Sequence, residues 1–137
     1  MSLSWNDAPW ALTRRFETRS QADVEAAIRG TLAENGFGIL TEIDIQSTLR
    51  EKAGVERRPY KLLGACSPRL ADEALQAVPA VGLFLPCNVV ITEDDDGATR
   101  LAILNPQAML APMGEQPQLA ALMDAATARL NAALDAV

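Results

Sequence analysis

The sequence predicts an α+β fold with a single, mostly antiparallel sheet and helices packed on one of its faces. Helix-like and strand-like segments alternate along the chain. The last strand segments are joined by turns that are too short for the crossover that parallel strands need. A helix layer on one face of such a sheet buries the apolar sides of both layers. Because the 137 residues contain no repeat and no linker, we expect one domain over residues 10–137.

The first strand and the first helix are predicted by local signals near the N-terminus. Thr13 to Thr18 is a run of residues compatible with a strand. Ser20 with Asp23 resembles a capping box, and apolar side chains at helical spacing follow as far as a stop at Asn35. These residues therefore predict an amphipathic helix after the first strand.

The next two segments predict a second strand and a short helix. Residues 37–44 are rich in β-branched and aromatic side chains. Strict alternation places two sets of side chains on opposite faces, with Phe37, Ile39, Thr41 and Ile43 on one face and Leu40 and Glu42 on the other. Residues 44–53 then predict a helix, which ends at Gly54 because glycine is the usual helix terminator.

The middle of the chain predicts a strand, a helix and a further short strand. Tyr60 to Cys66 is the strand segment. Ser67 and Pro68 suit the cap and the first position of a helix that runs to about Val78. Residues 81–85 form a short apolar run between two prolines, which we interpret as a buried strand.

The last third of the chain predicts a hairpin and a long helix. Residues 87–93 and 99–104 are strand segments joined by a turn at 94–97. A turn or short helix at 105–106 and a loop at 109–117 follow. One apolar stripe is typical of a final helix: Leu119, Leu122, Met123, Ala126, Leu130 and Leu134. The predicted order of elements is β-α-β-α-β-α-β-β-β-α.

Composition excludes several classes of chemistry. The chain has no histidine and only two cysteines, so it contains neither a histidine-dependent nucleophile nor a histidine-ligated metal. Two thiols underfill a structural zinc site, so we assign no metal ligands to such a site. The chain has 24 alanines and only six aromatic residues. In a core of this composition, small side chains allow the helices to pack close to their neighbours.

Charge and hydropathy limit the partners and the location. The net charge of −6 has the wrong sign for a protein that neutralises phosphates, so we expect no nucleic acid partner. The longest apolar run, residues 78–85, contains Pro79 and is far shorter than the ~20 residues of a membrane-spanning helix. The first residues lack the pattern of a signal peptide. We therefore expect a cytoplasmic protein with reduced cysteines and no membrane contact.

Cys66 is the residue that most suggests chemistry. It stands just before the predicted helix start at Ser67, where backbone N–H groups and the helix dipole favour an anion. A thiol in that position is more acidic than a free thiol, whose pKa is about 8.5. The alternative is that Cys66 is a small buried apolar side chain at a strand end.

Cys87 is a candidate functional residue only together with Cys66. Alone it reads as a structural residue that opens an apolar strand, followed by Asn88, whose amide both donates and accepts hydrogen bonds. If the strands that hold the two cysteines are neighbours, the thiols lie close enough for redox cycling, soft-metal binding or transient sulfur transfer. Ser67 and Asn88 are then the adjacent ligand-binding residues.

Two groups of charged residues have both a functional and a plain interpretation. Glu42 acts as an acid or base if its strand face is buried, and is a solvent-exposed sheet-edge residue otherwise. Arg57, Arg58 and Lys61 are able to receive an anionic ligand, but nearby glutamates favour a solvated loop.

Four segments between residues 37 and 109 carry a resemblance to a known family. They are F-G-I-L-T-E-I-D at 37–44, Y-K-L-L-G-A-C-S-P at 60–68, L-P-C-N-V at 85–89 and N-P-x-x-M at 105–109. Together they resemble the family called domain of unknown function 302. Ser67 and Asn105 depart from the asparagine and aspartate that are usual there.

The resemblance implies a small α+β fold similar to β-α-β4-α domains and a homodimer. It also points to Cys66, Cys87 and Glu42 as the positions of interest, but it supplies no activity and no cofactor. Some members are associated with sulfur or redox proteins, which favours a thiol function.

The leading hypothesis is a homodimer whose two thiols line a shared pocket. Cys66 is the more nucleophilic thiol, Cys87 the resolving or second-ligand thiol, and Glu42 the proton acceptor. The first alternative is a non-catalytic module with an apolar cleft for a small molecule, in which both cysteines belong to the wall. The other alternative is a structural or regulatory dimer without a ligand.

Overall fold

The computed structural model describes residues 3–137, and its centre is one five-stranded sheet. The strands are β1 (Ala11–Phe16), β2 (Gly38–Asp44), β3 (Tyr60–Cys66), β4 (Cys87–Glu93) and β5 (Thr99–Leu104). Their order across the sheet is β1-β5-β4-β3-β2, and all four neighbouring pairs are antiparallel. The predicted fold class is confirmed, and the first two strands of the chain form the two sheet edges.

Five helices accompany the sheet in the described residues. They are α1 (Gln21–Glu34), α2 (Ile45–Ala53), α3 (Pro68–Ala77), α4 (Leu110–Met113) and α5 (Pro117–Asp135). Both α1 and α5 pack on the same sheet face, as predicted. Between residues 3 and 137, no helix is long and apolar enough to cross a membrane.

The main core lies between the sheet and the helices α1 and α5. Aliphatic side chains from these elements are fully or almost fully buried: Val24, Ile28, Leu32, Leu63, Val89, Leu101, Ile103, Leu130 and Leu134. Ala126 and Ala133 are also buried on α5, so this alanine-rich helix approaches its neighbours closely. Burial of each large aliphatic side chain stabilises the fold by about 1.5–3 kcal/mol relative to exposure.

Local capping signals explain why the predicted helix starts are correct. The Ser20 side chain accepts a hydrogen bond from the Asp23 backbone N–H at 3.1 Å, and α1 begins one residue after Ser20. The Asp44 side chain accepts one from the Ser47 N–H at 3.0 Å at the start of α2. Gly54, with φ 65°, ends α2 in the left-handed conformation that glycine adopts readily.

The predicted strand at residues 81–85 is wrong. Pro79–Phe84 forms a 3₁₀-helical turn, so the sheet has five strands instead of six. Val81 is fully buried there beside Ala74 and Met109, in a second apolar cluster. A five-residue apolar run can be buried equally well by a helical turn, and the prolines on either side disfavour a sheet position. The predicted loop at 109–117 is also partly helical, since it contains α4.

A bulge in β2 changes the predicted faces of that strand. Ile39 pairs with Ala65 and Thr41 with Gly64, which leaves Leu40 as an extra residue without a partner. Ile39 packs on the main core, whereas Thr41 lies over Gly64 on the other face. The bulge therefore separates Ile39 from Thr41 and Ile43, and strict alternation does not hold.

Candidate functional site

The strand register places the two cysteines side by side in the sheet but on opposite faces. Cys87 pairs with Ala65, and Ala65 belongs to the main core under the helices. Partners in an antiparallel pair share a face, and successive residues alternate, so Cys66 faces away from Cys87. Both thiols are free; Cys66 is half-buried and Cys87 is buried. This register therefore disfavours a pocket lined by both thiols.

Neither thiol is acidified by its surroundings. Burial raises the pKa of Cys66 above its ordinary value. Burial, with a smaller effect of the neighbouring Cys66, raises the pKa of Cys87 to about 11. The expectation of a more acidic Cys66 is therefore wrong, because the loss of water around the sulfur disfavours the thiolate. Ser67 is the N-cap residue of α3, but its side chain makes no capping hydrogen bond.

Glu42 lies on the helix side of the sheet, away from Cys66. It pairs with Leu63, three residues before Cys66 on β3. Its carboxylate forms ion pairs with Lys61 at 2.9 Å and Arg29 at 3.1 Å, and half of the side chain is exposed. The Lys61 ammonium, with help from Arg29, holds the pKa of Glu42 below its usual value. The structure thus supports the plain interpretation of an exposed, ion-paired carboxylate.

The three residues of the predicted basic cluster, Arg57, Arg58 and Lys61, have different partners and do not form one site. Lys61 contacts Glu25 and Glu42 at 2.9 Å on the helix side of the sheet. Arg58 pairs with Asp95 in the turn between β4 and β5. Arg57 forms no ion pair within the part of the chain that the structure describes. In the same part of the chain, no group of three histidine, cysteine or acidic side chains is able to hold a metal ion.

An aromatic cleft lies on the sheet face that α1 and α5 leave uncovered. It has a volume of about 200 Å³ and is lined by Trp5, Trp10, Tyr60, Asn88, Val90 and Leu104, among others. Val90 and Leu104 form the apolar floor, because they lie on the central strands β4 and β5. Of the predicted site residues, only Asn88 belongs to this cleft. We name this feature the aromatic cleft.

The aromatic cleft could not be found from local sequence patterns. Trp5 lies in a 3₁₀ turn before β1, Trp10 directly precedes β1, and Tyr60 opens β3. These residues meet only because β1 pairs with β5, and β4 joins β5 to β3. The one available signal was compositional: two tryptophans stand five residues apart in a chain with six aromatic residues.

The polar ends of the cleft residues are available to a ligand. Within residues 3–137, no side-chain hydrogen bond involves the indole N–H of Trp5 or Trp10, the Tyr60 hydroxyl or the Asn88 amide. Trp10 is half-exposed, with 51% of its surface accessible. The aromatic cleft therefore combines ring surfaces with unused donors and acceptors.

A second cavity adjoins the aromatic cleft. Its volume is about 510 Å³, and Trp5 and Tyr60 line both spaces. Charged and polar side chains dominate its remaining wall: Glu56, Arg57, Arg58, Thr92, Glu93 and Asp95. We name this space the polar annex.

Comparisons with known proteins identify the family. The family model described as "Domain of unknown function DUF302" matches residues 13–137. A crystal structure of an uncharacterized conserved DUF302 protein from Bacillus stearothermophilus is similar, with 27% identity and a TM-score of 0.84. The match covers 93% of this chain and 98% of that one. No curated protein matches this chain. Trp5 and Trp10 precede the matched residues. The chain therefore belongs to the DUF302 family, as its motifs predict.

Proposed function

We propose that this protein is a non-catalytic module that binds a small, largely apolar molecule in the aromatic cleft. One observation carries the proposal. Both tryptophans and the only tyrosine of the chain line this single cleft, although aromatic residues make up only 4% of the sequence. The proposal corresponds to the first alternative from the sequence, except that neither cysteine lies among the residues that line the cleft.

The physical properties of the aromatic cleft favour such a ligand. Large ring surfaces provide contact area at low cost in conformational entropy, and an offset or edge-to-face ring pair adds about 0.5–1.5 kcal/mol beyond burial. Asn88 is exposed and supplies one amide for orientation of the ligand. The cleft alone, at about 200 Å³, is smaller than the roughly 300–1,000 Å³ of ordinary ligand pockets, whereas the adjoining polar annex, at about 510 Å³, lies within that range.

Intrinsic fluorescence is the direct assay, because both tryptophans line the cleft. We expect 4-phenylbutan-1-ol to change the tryptophan emission in a saturable manner. Asn88→Ala should weaken binding about fivefold, since a neutral hydrogen bond contributes about 1 kcal/mol. Asn131→Ala is the matched control: Asn131 lies on α5, across the sheet from the cleft, so its removal should leave affinity unchanged.

The contrary result is equally clear. If emission does not respond to 4-phenylbutan-1-ol at any soluble concentration, the aromatic cleft is not a ligand site of this kind. If the response saturates but Asn88→Ala and Asn131→Ala bind alike, the amide does not orient the ligand.

Thiol chemistry at Cys66 and Cys87 remains a second proposal. Two observations favour it: Cys66 is half-buried, so a reagent can approach its sulfur, and Cys66 directly follows Ala65, the residue that pairs with Cys87. Redox cycling, transient sulfur transfer or soft-metal binding would then take place at the end of β3, in a reducing cytoplasm. Glu42 lies on the opposite sheet face from Cys66 and is ion-paired with Lys61 and Arg29, so this proposal does not use it as the proton acceptor.

The homodimer implied by the family resemblance is also retained as a proposal. Three large apolar side chains are exposed close together: Leu75 at 40%, Leu83 at 88% and Phe84 at 37%. Leu75 lies beside Gly82, since a Cβ on Gly82 would stand 3.8 Å from Leu75 Cδ2. Exposed apolar surface of this kind is typical of protein–protein contacts, and we propose that a second copy of the chain covers it.

A further inference from the structure

We infer that the natural ligand of the aromatic cleft carries a carboxylate and that Arg57, in the polar annex, binds it. This inference rests on the proposed function, because it names the class of molecule that the same site takes. The ligand has an apolar part on the rings of Trp5, Trp10 and Tyr60 and an anionic head that reaches Arg57.

The shared wall of the two cavities sets the position of the head group. Trp5 and Tyr60 line both the aromatic cleft and the polar annex, so a molecule seated on their rings lies at the border of the annex. The cleft contains few polar groups, whereas the annex wall is rich in charge. A ligand that fills both spaces must therefore have one apolar end and one polar end.

Among the described residues, the ion pairs of the annex leave Arg57 as its one arginine without an acidic partner. Arg58 and Asp95 neutralise each other. Glu93 accepts a hydrogen bond from Gln21 Nε2 at 3.3 Å. Arg57 has no acidic partner within 4 Å in the described chain, and a guanidinium is suited to bidentate binding of a carboxylate. The guanidinium of Arg57 has no ion-pair partner within residues 3–137 and is therefore free to bind an anion in the annex.

The backbone of Arg57 is tied to α2, and its charge acts on Tyr60. Its backbone carbonyl accepts a hydrogen bond from Gln46 Nε2 at 2.9 Å, which ties the segment to α2. Burial raises the pKa of Tyr60, and the positive charge of Arg57 acts in the opposite direction. The adjacent Glu56 also lines the annex. The Arg57 charge thus acts at the junction of the two cavities.

A series of probes with one apolar part and three head groups tests the inference. The probes are 4-phenylbutyrate, 4-phenylbutan-1-ol and 4-phenylbutylammonium, each titrated against tryptophan emission at low ionic strength. We expect the carboxylate to bind about fivefold more tightly than the alcohol, and the ammonium more weakly than both. R57Q should reduce the affinity for the carboxylate to that for the alcohol and leave the alcohol unchanged.

The matched control is R50Q, since Arg50 is an exposed arginine of α2 that lines neither cavity. It removes the same charge and should keep the preference for the carboxylate. If the alcohol binds but the carboxylate has no advantage, or R50Q and R57Q act alike, the inference about Arg57 is wrong while the proposed function stands. If none of the three probes binds, both the inference and the proposed function are contradicted.

Discussion

Gly64→Ala should destabilise the protein, because the glycine lies where two neighbours leave no room for a side chain. A Cβ at this position would stand 2.2 Å from Thr41 Oγ1 and 2.7 Å from Pro86 Cγ. Overpacking of a tight site costs about 1–3 kcal/mol, and a rigid proline ring places this site near the upper limit. Alanine recovers about 0.5–1 kcal/mol through reduced backbone freedom in the unfolded chain. We therefore expect a net loss of about 2 kcal/mol in the free energy of unfolding.

Urea unfolding measures this loss, and the chain offers a matched control. Gly38 lies on β2 opposite Cys66, and a Cβ there would have no neighbour within 4 Å. Gly38→Ala should leave stability unchanged or raise it slightly. Thr41→Ala in the Gly64→Ala background removes one clash and should restore part of the loss. Equal unfolding midpoints for Gly64→Ala and Gly38→Ala would refute the reasoning and the packing of Thr41 and Pro86 over Gly64.

Two further predictions concern the thiols and the homodimer. At pH 7, a rise of the Cys87 pKa from 9.0 to about 11 leaves about 100-fold less thiolate than in an ordinary cysteine. Iodoacetamide should therefore modify Cys66 first and Cys87 only on unfolding. An alkylation midpoint below pH 8.5 in either Cys→Ser variant would instead support a reactive thiol. In sedimentation equilibrium, the parent protein should have twice the chain mass of 14.7 kDa, and Leu83→Asp should have the mass of a monomer. A mass of 14.7 kDa for the parent at every concentration would exclude the dimer.

Local signals in the sequence were sufficient for most of the fold. Caps such as Ser20 and Asp44 act within three residues of themselves, so their effect can be deduced without knowledge of the sheet. The turn at Asp94–Gly97 fixes the β4–β5 hairpin in the same way. The predicted strand at 81–85 is wrong because burial, and not strand pairing, decides the state of so short an apolar run.

The candidate site depended on pairing between distant strands, which local patterns do not contain. The register of Ala65 with Cys87 separates the two thiols by a sheet face, and a shift of one residue would have brought them together. The bulge at Leu40 likewise depends on how β2 meets β3. Trp5 and Tyr60 are 55 positions apart in the sequence and share a cleft only in the folded sheet.

The two indole N–H signals in a ¹H–¹⁵N spectrum test the central claim most directly. The chain has two tryptophans, and both line the aromatic cleft, so each signal reports on the proposed ligand site. During titration with 4-phenylbutyrate, we predict that both signals shift and follow one dissociation constant. If backbone signals elsewhere shift while both indole signals stay fixed, the probe binds at another place and the aromatic cleft is not the binding site.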